Sequence, residues 1–228
     1  MNGVRSERVA YAAPFLIFFA FLLLEAAVKK VGEGYSHWAL AQPRYWVFPL
    51  QAAVCAAHLW TLRRRVQFRP IVGFGFATLI ALLALAVWIS PQVIFKAAPR
   101  NDGFDPYFFG SSGWAFWGTL IARLFRMVVV VPFVEEIFWR GFLLRFLVRE
   151  DFSSVPFGTF TWRSFLISIA GFCAVHAPSD WPAAIVTGAL FNLVAYRTRS
   201  LAACIFTHAV TNLVLAIYIL RTGQWGFW

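Results

Sequence analysis

Three ionisable residues, Glu135, Glu136 and Arg140, interrupt one long apolar stretch of the sequence. At the centre of a bilayer each such side chain costs roughly 2.5–3.5 kcal/mol on an insertion scale, so three together need a reason. Glu136 and Arg140 are four residues apart and share a helix face, which predicts a buried ion pair that orients the helix. Glu135 points about 100° away and finds no partner on its own helix.

Three further polar residues lie in later apolar stretches: His176, His208 and Asn212. His208 and Asn212 are four residues apart, so both face the same way on one helix. A single histidine on an apolar helix is usually a hydrogen-bonded core residue. Two histidines, an asparagine and the unpaired Glu135 in separate stretches instead predict one shared polar site.

These residue types are sufficient for peptide hydrolysis. A glutamate in a dry pocket has a raised proton affinity and becomes a better general base for water, and a neighbouring histidine can share the proton transfer. A His–Asn pair on one helix face offers two hydrogen-bond donors to an oxyanion. General acid–base catalysis contributes about 10²–10⁴-fold, and one oxyanion donor about 10²–10³-fold.

A metal site is the competing interpretation of the same residues. One glutamate and two histidines can bind catalytic zinc, although no H-E-x-x-H helix is present. A cysteine nucleophile is less favoured: Cys173 precedes His176 by three residues, but nothing in the sequence lowers its pKa. We therefore expect no cofactor and keep zinc as the alternative.

The composition predicts a membrane protein. Of 228 residues, 61% are hydrophobic and 13% are charged, against about 45–50% and about 25% in soluble domains. The net charge of +10 comes from short clusters between apolar runs, which suits membrane loops better than a nucleic-acid-binding face. We expect membrane lipids as partners and no nucleic acid.

The apolar runs predict an all-α, polytopic transmembrane helix bundle of about seven, at most eight, spans. The expected spans are Val9–Val28, Trp46–Leu62, Ile71–Ser90, Met127–Val148, Ser164–Ala177, Pro182–Tyr196 and Leu201–Leu220. Pro91 is expected to end the third span and Pro132 to kink the fourth. Residues 114–126, which carry Arg123 and Arg126, are expected to lie along the membrane interface.

The expected spans also predict how the chain is oriented in the membrane and how deep its polar residues lie. Basic residues are more numerous on the side of the N-terminus, which favours a cytoplasmic N-terminus. Measured from that side, a rise of 1.5 Å per residue gives the depths of the polar groups: ~20 Å for Glu135 and His176, ~18 Å for Asn212 and ~12 Å for His208. The four groups can therefore meet if their helices pack together.

Residues 131–141, VPFVEEIFWRG, resemble the E-E-x-x-x-R motif of the CAAX protease and bacteriocin-processing family, also called the Abi family. Phe172-x-x-x-His176 looks like its second motif, and His208-x-x-x-Asn212, with Gly188 and residues 196–201 before it, is similar to the third. The three motifs follow in the expected order over residues 132–212. The chain also resembles the subgroup that accompanies exosortase sorting systems.

The resemblance implies a type II CAAX prenyl endopeptidase-like intramembrane protease of about eight helices or fewer. It implies that Glu135 and His176 activate water and that His208 and Asn212 form the oxyanion site, with Glu136 and Arg140 in support. Its core would occupy residues 114–228. Residues 1–113 carry N-terminal helices and a loop without a recognised motif, within a single membrane domain overall.

Three functions stay open from the sequence. The first is an intramembrane endopeptidase acting near the C-terminus of a membrane-tethered substrate, CAAX-like or other, in the inner membrane of a bacterium. The second is a non-catalytic scaffold or immunity protein on the same fold. The third, a transporter with a buried proton relay, is disfavoured because the intramembrane charges lie in one layer.

Overall fold

A computed structural model describes the backbone of residues 2–228 and the side chains from residue 7 onward. The described chain is helical and contains no strand. Its helices are α1 (Asn2–Val31), α2 (Trp38–Ala41), α3 (Arg44–Leu62), α4 (Phe74–Val93), α5 (Gly113–Phe125), α6 (Val131–Glu136), α7 (Leu144–Phe146), α8 (Trp162–Ala174), α9 (Trp181–Thr198) and α10 (Leu201–Thr222). The all-α, multi-pass membrane bundle expected from the sequence is confirmed.

Four helices of the described chain are long and apolar enough to cross a membrane. They are Glu7–Val31, Phe74–Val93, Gly113–Phe146 and Leu201–Thr222, while Trp162–Ala174 is apolar but shorter. Since a straight span needs about 20 residues, the count of seven spans stays a prediction.

The 113–146 helix is continuous and alternates between two helical forms. Two π-helical segments, Arg126–Val130 and Ile137–Leu143, separate α5, α6 and α7. Residues 114–126 are continuous with the span that follows, and Arg123 of α5 and Arg126, the first residue of the π-helical segment, are both buried. Their expected position along the membrane interface stays a prediction. Aromatic rings cover Arg123 and Arg126, which makes burial of their guanidinium groups possible.

Pro91 does not end the third span, contrary to expectation. Helix α4 continues through Pro91 to Val93. A proline leaves the carbonyl four residues earlier without its N–H donor. Here the Ser90 hydroxyl donates to that carbonyl, Val87 O, at 2.9 Å, and the helix tolerates the proline.

Small residues bring α4 and α10 together beside the polar site. Ala81 and Ala84 of α4, and Ala203 and Ala216 of α10, are fully buried. Small side chains let two helix backbones approach closely in a membrane. The Thr211 hydroxyl lies 3.2 Å from Ala81 O across this interface. The close contact fixes the register of α10, the helix that carries His208 and Asn212.

Candidate active site

A network of buried polar side chains joins four helical segments. Glu136 is fully buried, and its Oε1 accepts from Arg140 Nη1 at 3.0 Å and from His208 Nδ1 at 2.9 Å. The Arg140 Nε donates to Asn192 Oδ1 at 3.1 Å, and the Asn192 amide donates to Ser168 Oγ at 2.8 Å. The Glu136–Arg140 pair expected from spacing is present, and it extends to α8, α9 and α10.

Arg140 is held on every side in this network. Its Nη2 donates to Gly188 O at 3.3 Å. Its guanidinium carbon lies 5.2 Å from the centre of the Phe172 ring and 5.5 Å from that of Phe191. A buried ion pair is stable only when further hydrogen bonds satisfy its members. Arg140 is satisfied in this way, whereas the second oxygen of Glu136, Oε2, is buried without a hydrogen-bond partner in the described part of the chain. The network links the helices through Arg140.

The contact between Glu136 and His208 sets the proton on the histidine ring. With Glu136 ionised, its carboxylate only accepts, so the proton lies on Nδ1 of His208. The Nε2 atom of that ring can donate a hydrogen bond only when the ring is the imidazolium form. The contact with Glu136 holds the ring in place, and His208 also lines the cavity described next.

A cavity of about 420 Å³ lies beside the network. Its lining contains four polar residues that the sequence singled out: Glu135, His176, His208 and Asn212. The structure thus brings these four together, whereas Glu136 and Arg140 do not line the cavity. Among the described residues Glu135 Oε2 is buried with no hydrogen-bond partner, as expected of a carboxylate with no partner on its own helix.

His176 lies just beyond the end of α8, in the turn before α9. Its Nδ1 lies 2.7 Å from Phe172 O, and a carbonyl only accepts, so Nδ1 carries a proton. In the neutral ring Nε2 then has a free lone pair. Trp88 and Phe172 hold the ring between them, with ring centres at 5.6 and 4.7 Å. His176 is thereby oriented as a proton acceptor.

Pro132 explains how Asn212 is anchored. In the π-helical segment, Val131 N donates to Arg126 O, five residues earlier. The next donor in this register would be the nitrogen of Pro132, which has no hydrogen. Met127 O is left free and accepts from Asn212 Nδ2 at 2.8 Å. One N–H of the Asn212 amide is used in this bond, and the second remains for a ligand.

The first π-helical segment also keeps one row of residues facing the cavity. Arg123, Met127, Val131 and Glu135, spaced by four, all line it. In a regular α-helix each four-residue step over-rotates by about 40°. A π-helical turn contains more residues, so it reverses part of this rotation. The sequence shows no π-helical signal that could have predicted this alignment.

Part of the cavity wall is formed by segments that carry no sequence motif. Arg100, in the loop after α4, forms an ion pair with Asp180 at the start of α9. The same loop accepts a backbone hydrogen bond from Gly226 to Arg100 O at 2.9 Å. Sequence reasoning missed this pair, and it also missed Asn192 and Gln51, although a lone amide inside an apolar run was an available signal.

The structure also bears on the two alternative sites considered from the sequence, a cysteine nucleophile and a metal site. Cys173 is buried, does not line the cavity, and has its sulfur 3.8 Å from Trp181 O, which does not favour a cysteine nucleophile. Within residues 2–228, no three side chains of His, Cys, Asp or Glu come together as a metal-binding group.

Comparison with known proteins supports one family. The family model described as "Type II CAAX prenyl endopeptidase Rce1-like" matches residues 116–214, which confirms the family resemblance read from the motifs. No curated protein and no solved structure gives a match. The matched segment contains the polar network and the four residues of the cavity.

Proposed function

We propose that this chain, whose residues 116–214 belong to the Rce1-like family of type II CAAX prenyl endopeptidases, is an intramembrane endopeptidase. The observation that carries the proposal is the single cavity lined by Glu135, His176, His208 and Asn212. The substrate would be a membrane-tethered peptide or protein, prenylated or otherwise anchored, cut near its C-terminus. We propose the inner membrane of a bacterium as its location.

In the proposed mechanism, a water molecule binds between Glu135 and His176. Glu135 accepts one proton as the water oxygen attacks the scissile carbonyl carbon, and His176, whose Nε2 is free to accept, shares the proton transfer. Glu135 lines the cavity, and its Oε2 has no hydrogen-bond partner among the described residues, so this oxygen is free to accept a proton from the water.

The negative charge that forms on the carbonyl oxygen would be stabilised by two donors from α10. The second N–H of the Asn212 amide is one, and Nε2 of the imidazolium form of His208 is the other. When the intermediate collapses, the C–N bond breaks, the proton held by Glu135 and His176 passes to the leaving amine, and the acid and amine products separate. Glu136 and Arg140 position His208 and touch no reacting atom.

The test is cleavage of quenched, lipid-anchored peptides by the protein in liposomes. Glu135→Gln keeps the shape of the side chain but removes the base, so we expect kcat/KM to fall by about 10²–10⁴-fold with an unchanged melting temperature. His208→Ala should also abolish most activity. Glu150→Gln, at an exposed carboxylate outside the cavity, is the matched control and should cleave as the wild type does.

A chelator arm separates the glutamate mechanism from a zinc mechanism. Activity that survives the chelator and is lost in Glu135→Gln supports water activation by Glu135. Activity lost with the chelator and restored by zinc would replace this mechanism with a metal site. A folded wild type that cuts no peptide of a broad anchored panel would favour the non-catalytic scaffold instead.

A further inference from the structure

A second cavity, of about 230 Å³, lies away from the candidate active site. Its wall includes Arg69 before α4, Arg145 in α7 and Arg199 between α9 and α10. Arg69 precedes α4 and Arg100 follows it, so this cavity and the Arg100 ion pair lie at opposite ends of the bundle. The two cavities share no lining residue.

The three arginines of this cavity have no acidic partner among the described residues. No carboxylate is among the described residues that line the cavity. No ion pair with a described carboxylate involves Arg69, Arg145 or Arg199. Three positive charges around one small cavity repel one another. An anion bound between them would replace this repulsion with attraction.

Arg145 is fixed in place by neutral groups. Its Nε donates to Val155 O at 2.8 Å, its Nη1 to Gly141 O at 3.2 Å and its Nη2 to Ser153 O at 3.2 Å. These carbonyl groups orient the guanidinium group but do not neutralise its charge. A guanidinium group has five N–H donors, so two of them remain for a ligand.

The loop that carries Arg69 is attached to the start of α10. The Ser200 hydroxyl lies 3.0 Å from Arg69 O and 2.9 Å from Pro70 O, and it accepts from Ala203 N at 3.2 Å. Leu201, the first residue of this 22-residue helix, lines the cavity. The N-terminus of a helix carries a partial positive charge and favours anions. The helix therefore adds to the attraction of the three arginines for an anion.

Arg199 has a backbone conformation that usually belongs to glycine. It follows the last residue of α9 with φ of 52°, in the left-handed region, which is costly for a residue with a Cβ atom. Gly158 packs closely on this turn, since a Cβ atom there would lie 2.6 Å from Ala195 O and 3.1 Å from Arg199 Cγ. Backbone strain of this kind concentrates at functional sites. An arginine kept at such a position indicates that its side chain is used.

We infer that Arg69, Arg145 and Arg199 form a binding site for a phosphate group. The planar N–H pairs of arginine match two oxygens of a phosphate. The Tyr11 hydroxyl accepts from Gln67 N at 3.3 Å, and its own hydrogen can be donated to a further oxygen. The inference goes beyond the proposed protease function and does not depend on it.

The size of the cavity limits what can be bound. Its volume of about 230 Å³ is below the range of about 300–1,000 Å³ for pockets that enclose a whole small molecule. It therefore suits a phosphate group whose remaining part lies outside. Basic pockets between membrane helices bind the headgroups of anionic lipids. A soluble phosphate compound can reach the same groups from water, because Arg69 and Arg199 are exposed.

The experiment measures the melting temperature of the detergent-solubilised full chain with two pairs of probes. The lipid pair is dioctanoyl phosphatidic acid and dioctanoylglycerol, which lacks the phosphate. The soluble pair is sodium phosphate and sodium chloride at equal ionic strength. We expect the phosphate member of at least one pair to raise the melting temperature, and its partner to leave it unchanged.

Arg199→Gly is the decisive variant. It removes the guanidinium group and relieves the left-handed strain, so it should fold as well as wild type without ligand. Its apparent affinity for the phosphate probe should fall by about tenfold to a hundredfold, the range for a hydrogen bond to a charged group. Arg69→Gln should act in the same direction. The matched control is Arg197→Gln, at an exposed arginine that does not line the cavity, and it should keep the wild-type affinity.

The outcomes separate the sources of the phosphate and can overturn the site. Stabilisation lost in Arg199→Gly supports the site: in the lipid arm alone it assigns a headgroup, in the soluble arm alone a free phosphate, and in both arms the phosphate group itself. Absence of stabilisation by both phosphate probes in wild type would overturn the site. Equal affinity in wild type, Arg199→Gly and Arg69→Gln would also overturn it. A loss in Arg197→Gln as large as in Arg199→Gly would show a general effect of surface charge, and the inference would be wrong.

Discussion

Two groups of buried charge in the same helix are built in opposite ways. Arg140 has a carboxylate partner, an amide partner, a backbone partner and two aromatic neighbours. Arg123 has aromatic neighbours but neither a carboxylate nor a hydrogen bond from its Nε. A buried charge is stable only when it is compensated. The partners of Arg140 within the protein compensate its charge. Arg123 has only aromatic neighbours as compensation among the described residues.

The two groups of residues also differ in their place relative to the cavity. The Arg140 network connects α8, α9 and α10 to the 113–146 helix, and of its members only His208 lines the cavity. Arg123 and Arg126 line the cavity, and neither forms an ion pair with a described carboxylate, although Arg126 is linked to Gln51 of α3 by a hydrogen bond. We therefore expect substitutions of Arg140 and its partners to lower the free energy of unfolding more than substitution of Arg123 does.

The largest loss of unfolding free energy is expected from Arg140→Met. It leaves Glu136 buried without its arginine, which typically costs about 3–5 kcal/mol of unfolding free energy. The measurement is the melting temperature in detergent. The double variant Glu136→Gln with Arg140→Met removes both charges and should recover much of the loss. A single variant as stable as wild type would show that the pair is not needed to hold the helices.

A smaller loss of unfolding free energy is expected from Asn192→Leu. The change removes the acceptor for Arg140 Nε and the donor to Ser168 Oγ, and unsatisfied buried groups cost about 1–3 kcal/mol each. Thermal unfolding again provides the measurement, with Asn101→Leu in the exposed loop after α4 as the control. An unfolding free energy equal to that of wild type would mean that water replaces the amide.

The smallest change in stability is expected from Arg123→Met. Removing a buried guanidinium group that has no counter-ion should leave the melting temperature unchanged or raise it slightly, because the lost cation–π contacts are worth about 0.5–2 kcal/mol and the desolvation cost disappears. A decrease as large as that of Arg140→Met would contradict the contrast between the two regions. It would show that the aromatic rings around Arg123 already compensate its buried charge.

The sequence by itself predicted the class of the fold and the identity of the polar site. Hydropathy sets which segments avoid water, and it needs no knowledge of packing, so the all-helical membrane bundle could be derived directly. Charges and histidines inside apolar runs are costly wherever they lie, and this made Glu135, His176, His208 and Asn212 visible. The pairing of Glu136 with Arg140 followed from a spacing of four on one helix.

Only the tertiary structure decided how these residues meet. The link from His208 to Glu136, the support of Arg140 by Asn192 and the ion pair of Arg100 with Asp180 join residues far apart in the chain. Local periodicity carries no information about such contacts, because they depend on which helix faces which. The two π-helical segments had no local signal either, and the first aligns Arg123 with Glu135 along one wall.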